Sequence, residues 1–161
     1  MCAQKKTLSY SEQIKEKTKY YSSLSEAEQI KAVTNYWWKI QFINTLSYNV
    51  QRATIESSPR AIEEIKNPTK EIQILAINKI MKDSSFNIAL TKLIKKFDEE
   101  VQIVAIKHNP QIIKFITYPS EKVQLEAVKI NPFVIKNIIN ATPKAKQETL
   151  KHNPKVVKFL R

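Results

Sequence analysis

The sequence predicts an all-α protein, a right-handed superhelical α-solenoid of about six short helical-hairpin repeats. Three observations carry this. First, VQIVAIKHNPQIIKFI (Val101 to Ile116), VQLEAVKINPFVIKNI (Val123 to Ile138) and AKQETLKHNPKVVKFL (Ala145 to Leu160) are one unit repeated at a spacing of 22 residues, and a fixed period of this size marks a repeat architecture. Second, the chain has no Gly, the residue on which tight hairpins and phosphate-cradling loops rely. Third, Asn-Pro recurs at Asn109-Pro110, Asn131-Pro132 and Asn153-Pro154. Asn caps orphan helix N–H groups, and Pro fits the first helical position because its missing N–H would be unpaired there.

Taken in order, residues 1–23 form a basic, Tyr-bearing N-terminal arm or a lone cap helix, with Ser9 or Ser11 capping a helix from Glu12 to Tyr20. Residues 24–161 form the repeat domain, with units starting near 28, 50, 72, 101, 123 and 145. Ser25 with Glu28 is a capping-box pair, and Trp37 to Ile43 is the second segment of the first unit. Ser58-Pro59 replaces Asn-Pro in the second. The step from Ile72 to Val101 is 29 residues, so about seven are inserted around Lys82 to Phe86, taken up as two helical turns. Asp83, Ser84 or Ser85 then caps a helix from Phe86 to Lys96. Each unit reads as helix A, turn, helix B. Thr142-Pro143, Tyr118-Pro119 and Asn67-Pro68 place Pro in the first turn of helix A, and the residue before each Pro ends the preceding helix.

At 100° per residue, Val123, Ala127, Val128 and Leu125 make helix A apolar over more than half its circumference, as a helix between neighbours requires. Ala105 and Ala127 are small where helix A approaches a neighbour. In helix B, Val134, Ile135 and Ile138 share an inner arc and Lys136 lies opposite. A unit of 22 residues does not bury such arcs alone, but stacked units do. With PSEKVQLEAVKINP in view, residues 25–161 resemble the short tandem two-helix repeats of uncharacterised bacterial and phage proteins, which are similar to HEAT-like α-solenoids. The resemblance implies a fold and no single activity.

The net charge is +12. Residues 1–80 hold 12 Lys/Arg and 8 Asp/Glu, net +4, and residues 81–161 hold 15 and 7, net +8. The excess therefore sits where the repeat is cleanest, and it points to nucleic acid or another acidic surface as partner besides serving solubility. The lone Cys2 forms no internal disulfide, the N-terminal stretch lacks a signal-peptide pattern, and no run approaches ~18 apolar residues, so a cytoplasmic protein with no membrane association is expected.

No catalytic, cofactor-binding or metal-ligating set is expected. His108 and His152 occupy one repeat position at the end of helix A, where a His suits the helix dipole. Asp98, Glu99 and Glu100 suit a helix start for the same reason. Glu63 and Glu64 face solvent. Of Trp37 and Trp38, one is expected in the core and the other over the end of the stack. The residues with functional content are lysines. Lys92, Lys114, Lys136 and Lys158 recur every 22 residues in helix B, and Lys107, Lys129 and Lys151 at the end of helix A. Stacking turns that period into columns. Gln41 and Glu63 replace the lysine in the first two units, which confines any track to the C-terminal units. The expected function is a non-enzymatic scaffold whose basic groove contacts nucleic acid or a nucleoprotein complex. The alternatives are a phage or mobile-element inhibitor or adaptor that docks on a host protein complex, possessing an anti-CRISPR-like mode of action, and a HEAT-like DNA glycosylase. The final segment Lys155 to Arg161 ends without a polar capping repeat, so it shields itself or pairs with a second copy as a homodimer.

Overall fold

The computed structural model describes residues 8–82 and 93–160. Among them every regular element is a helix, in the order α1 (Tyr10–Ser23), α2 (Glu26–Asn35), η1 (Trp37–Phe42), α3 (Tyr48–Ser57), η2 (Pro59–Glu64), α4 (Lys70–Lys82), η3 (Ile94–Lys96), α5 (Glu99–His108), η4 (Pro110–Phe115), α6 (Glu121–Ile130), η5 (Pro132–Asn137), α7 (Pro143–His152) and η6 (Pro154–Phe159). The chain divides into two compact units, Met1–Ile72 and Gln73–Arg161. In the first, α2 packs on α3, η1 on η2, and α1 on η1. In the second, α5 packs on α6 and α6 on α7, while η4 lies against η5 and η5 against η6. The expected caps Asp83, Ser84 and Ser85, and the expected Phe86–Lys96 helix up to Lys92, lie outside the described residues.

Hydroxyl caps set the helix starts. Ser9, Ser25, Ser47, Ser120 and Thr142 each accept from the backbone N–H three residues on. Ser9–Glu12 and Ser25–Glu28 are complete capping boxes, closing two orphan N–H groups each. Only Pro143 of the three expected helix-A prolines lies in a first turn. Pro119 and Pro68 stand outside their helices, because Ser120 and Thr69 behind them supply the capping hydroxyl. Asp98 occupies the cap of α5 without a side-chain bond.

The second segment is a six-residue 3₁₀ helix in five units, at η1, η2, η4, η5 and η6, rather than the expected α-helix, and η3 spans three residues. A cap residue in extended conformation and Pro at the first position start η2, η4, η5 and η6. At three residues per turn, side chains at i and i+3 eclipse. In η5 this buries Val134 and Ile135 with the following Ile138, and turns Phe133 and Lys136 outward together. The same pairing exposes Lys155 with Lys158 and Arg60 with Glu63.

Two positions recur at the packed face of the α-helices. Ala32, Thr54, Ala76, Ala105, Ala127 and Thr149 are equivalent and all buried; the two Thr hydroxyls donate to the i−4 carbonyls of Val50 and Ala145 at 2.7 Å. Three residues earlier, Gln29, Gln51, Gln102 and Gln124 are also buried. Gln29 Nε2 donates to the carbonyls of Tyr21 and Leu24, Gln102 Nε2 to those of Ile94 and Phe97, and Gln51 Nε2 to that of Leu46. Gln124 Nε2 donates to the Pro119 carbonyl at 2.9 Å while its Oε1 accepts from the Thr142 N–H at 2.9 Å. The glutamine thus ties its helix to the linkers around it, meeting backbone groups that packing would otherwise leave without water.

Gln124→Ala removes both linker contacts and leaves the Thr142 N–H without its partner, and is expected to cost about 1–3 kcal/mol. The exposed Gln147→Ala is expected to stay within about 0.5 kcal/mol. Urea unfolding followed by helical circular dichroism measures the difference; equal midpoints for the two variants would refute the staple role.

Candidate macromolecule-binding surface

The three described lysines of the helix-B series occupy the fifth position of η4, η5 and η6, and all are exposed. Their register comes from the caps: Asn109, Asn131 and Asn153 each accept with Oδ1 from the N–H two residues on, at 3.0 Å in every case. Because η4, η5 and η6 pack in succession, Lys114, Lys136 and Lys158 follow one another along one side of the second unit. Lys92 lies outside the described residues. Gln41 and Glu63, at the matching positions of the first unit, are exposed as well.

Aromatic rings accompany these lysines. Lys114 Nζ stands 4.8 Å from the ring centre of Phe115. Lys136 and Lys158 share the ring of Phe159, at 5.9 Å and 5.2 Å. Such contacts hold an ammonium by the ring quadrupole without neutralising it. Among the described residues no carboxylate pairs with Lys136 or Lys158, so two like charges converge on one ring. Beside them a cleft of 360 Å³ is lined by Lys136, Lys146, Lys158, Phe159 and Ile139.

The helix-A series differs. Lys107, Lys129 and Lys151 are exposed, but Lys129 pairs with Glu126 at 3.6 Å and Lys151 with Glu148 at 3.5 Å, one turn earlier on the same helix. Val104 stands at the equivalent place before Lys107. The two columns are therefore electrostatically unlike: carboxylates accompany two of the three lysines at the helix-A ends.

The histidines have different partners. His108 Nε2 donates to Asn78 Oδ1 at 2.8 Å, linking α5 to α4, and His152 Nε2 donates to Glu148 Oε1 at 3.1 Å within α7. Ser57, at the equivalent position, donates to the Thr34 carbonyl of the preceding helix. No group of three His, Cys, Asp or Glu residues fit to hold a metal ion occurs among the described residues, and no described helix is long and apolar enough to cross a membrane. Neither Trp is in the core: Trp37 is half-buried and Trp38 exposed, because the buried positions of η1 fall to Ile40 and Phe42.

Acidic residues at the helix starts bridge neighbouring helices. Glu26 accepts from Ser47 Oγ and Asn49 Nδ2 of the next helix, Glu99 from Ser120 Oγ and, at 3.4 Å, pairs with Lys122, and Glu121 pairs with Lys144 at 2.8 Å. Sequence reasoning placed Glu99 at a helix start but missed this ladder, although Glu99 and Glu121, each one residue after a cap position and each followed 23 residues on by Lys122 and Lys144, were the signal. It also missed the phenylalanines at these lysines: Phe115 and Phe159 each directly follow a lysine of the series, and Phe159 reaches Lys136 one period back because η5 packs on η6. No protein-family model, curated protein or solved structure matches this chain.

The Ser120 hydroxyl, with Lys122, holds the Glu99 carboxyl below its ordinary value of 4.5; the Lys144 ammonium does the same for Glu121, and His152 foremost, with Lys151, for Glu148. Ser25 similarly lowers Glu28. Each group binds its proton more weakly folded than unfolded, so its stabilising contribution is full above 4.5 and is lost as pH falls through the lowered values. Melting temperature is expected to fall on acidification below this point, and less steeply in Glu99→Gln/Glu121→Gln. Parallel melting curves for wild type and double variant from about pH 6 to 3 would remove the ladder as a source of acid sensitivity.

Proposed function

We propose that this protein is a non-enzymatic, HEAT-like α-solenoid scaffold, right-handed in its stacking, whose C-terminal unit contacts nucleic acid or a nucleoprotein through Lys114, Lys136 and Lys158. The observation that carries the reading is the convergence of Lys136 and Lys158 on Phe159, with no carboxylate partner among the described residues, continued by Lys114 on the adjacent 3₁₀ helix. The consecutive packing of α5, α6 and α7 and of η4, η5 and η6 supports a stacked-repeat geometry. Successive 3₁₀ helices set ammonium groups at a regular spacing along a surface, which suits a phosphate backbone better than a single compact anion. Lys107, Lys129 and Lys151 contribute less, since two of them are already matched by carboxylates.

A second reading, docking on a protein, is favoured by Ile139 at 83% exposure and Val157 at 62% beside the same lysines. An apolar contact of that kind survives moderate salt, whereas phosphate binding does not.

Fluorescence anisotropy with labelled DNA and RNA at about 50 and 200 mM salt separates the two. Affinity is expected to fall steeply with salt. Lys114→Glu/Lys136→Glu/Lys158→Glu is expected to abolish binding at the higher salt, and the corresponding alanine triple to lower the log–log salt slope by about 2–3. Equal binding by wild type and triple variants would discard the column, and salt-insensitive capture of a protein lost in Ile139→Asp would establish the docking reading instead.

A further inference from the structure

The first unit departs from its own repeat at four consecutive positions. Where the other described 3₁₀ helices of this length read Ser-Pro-Arg-Ala, Asn-Pro-Gln-Ile, Asn-Pro-Phe-Val and Asn-Pro-Lys-Val, this one reads Tyr36-Trp37-Trp38-Lys39. The change has a cost. Neither Tyr36 nor Ser58 makes a side-chain cap bond to its 3₁₀ helix, whereas Asn109, Asn131 and Asn153 each cap theirs; at Tyr36 the Pro of the first position is lost as well, and a lost cap is destabilising. Sequences break a local rule of this kind chiefly at functional sites.

Docking of α1 explains part of the departure. Tyr21 stacks on Phe42 at 5.9 Å and 19°, Lys17 Nζ lies 5.6 Å from the Phe42 ring, and Lys39 Nζ lies 5.4 Å from Tyr21. The Ser22 hydroxyl donates to the Phe42 carbonyl and accepts from the Asn44 N–H. These contacts account for Phe42 and Lys39. They do not account for Tyr36 and Trp38, which remain 55% and 43% exposed. Their rings sit 6.1 Å apart, Trp38 is braced edge-on by Phe42 at 6.2 Å, and Lys39 Nζ stands 4.5 Å from Tyr36. Trp38 also holds the outward 3₁₀ position that its eclipsed partner Gln41 shares. Exposed aromatic rings next to ammonium groups are what stack the bases of a single-stranded nucleic acid; the rings contact unpaired bases and the lysines the backbone. A duplex hides its base faces from such a surface.

We infer that Tyr36 and Trp38, with Lys39 beside Tyr36, form a base-stacking platform for single-stranded nucleic acid. The inference narrows the nucleic-acid reading above to a single strand and to that extent rests on it, but it uses other residues in the other unit.

The test uses the full chain carrying Trp37→Phe, so that Trp38 is the sole indole, titrated with oligothymidine of about 16 nucleotides and with a matched duplex. Single strand is expected to quench Trp38 fluorescence, and duplex to leave it unchanged. Tyr36→Ala and Trp38→Ala, read by anisotropy, are each expected to weaken single-strand binding about 10-fold, while Trp38→Phe retains most of it. The lysine triple variant of the second unit is expected to keep the quenching at low salt. Unaltered helical circular dichroism and melting in the Ala variants assign their loss to the surface. Single-strand binding without quenching, equal quenching by duplex, or undiminished affinity in both Ala variants overturns the platform and leaves the lysine column standing. Quenching retained in a lysine triple variant that binds duplex no worse than wild type overturns the column and leaves the platform. Binding of neither nucleic acid overturns both.

Discussion

A ten-residue helix followed by a six-residue 3₁₀ segment, as in α6 and η5, is too short to close its own apolar surface. Val123, Ala127 and Val128 on one side of the pair and Val134 and Ile135 on the other are almost fully withdrawn from solvent, and only the neighbouring pairs can have done this. Nearly every other feature answers that constraint. The small residue at Ala105, Ala127 and their equivalents lets backbones approach. Where Thr stands there instead, its hydroxyl turns back to the helix carbonyl, so close packing does not strand that hydroxyl.

Polar groups at these contacts are arranged as carefully as the apolar ones. The buried glutamines carry linker carbonyls and N–H groups that would otherwise lose water for nothing. Glu26, Glu99 and Glu121 do a related task at the rim, each at the favourable end of its own helix dipole while reaching to the next helix. The glutamines are buried and specify register; the glutamates are exposed, so salt and acid weaken them first. His108, which composition alone offers as a candidate ligand, belongs to the same class of inter-helix contact through Asn78.

Function is argued from the places where this economy is broken. Lysines at the helix-A ends are in part matched by carboxylates, whereas Lys136 and Lys158 are drawn together over one ring. The first unit gives up its Asn-Pro cap for exposed aromatics. Neither arrangement is needed to bury the core, and both offer chemistry to something outside it.

The sequence by itself determined the helical class, the period, the α-helix positions and the exposure of the lysines, because a fixed repeat, cap residues and alternating apolar arcs are local signals that each unit states again. It offered the second segment of each unit as an α-helix at 100° per residue, a pitch that already buries Val134 and Ile135 and exposes Lys136. Only the tertiary structure made it 3₁₀, which turns Phe133 outward together with Lys136, and only the packing of η5 on η6 brought Phe159 to two lysines. It likewise moved Pro68 and Pro119 out of the helices, where Thr69 and Ser120 cap better, and left Trp38 at the surface. Those outcomes depend on which neighbour covers which side chain. That is a relation between residues a whole period apart, and no local pattern encodes it.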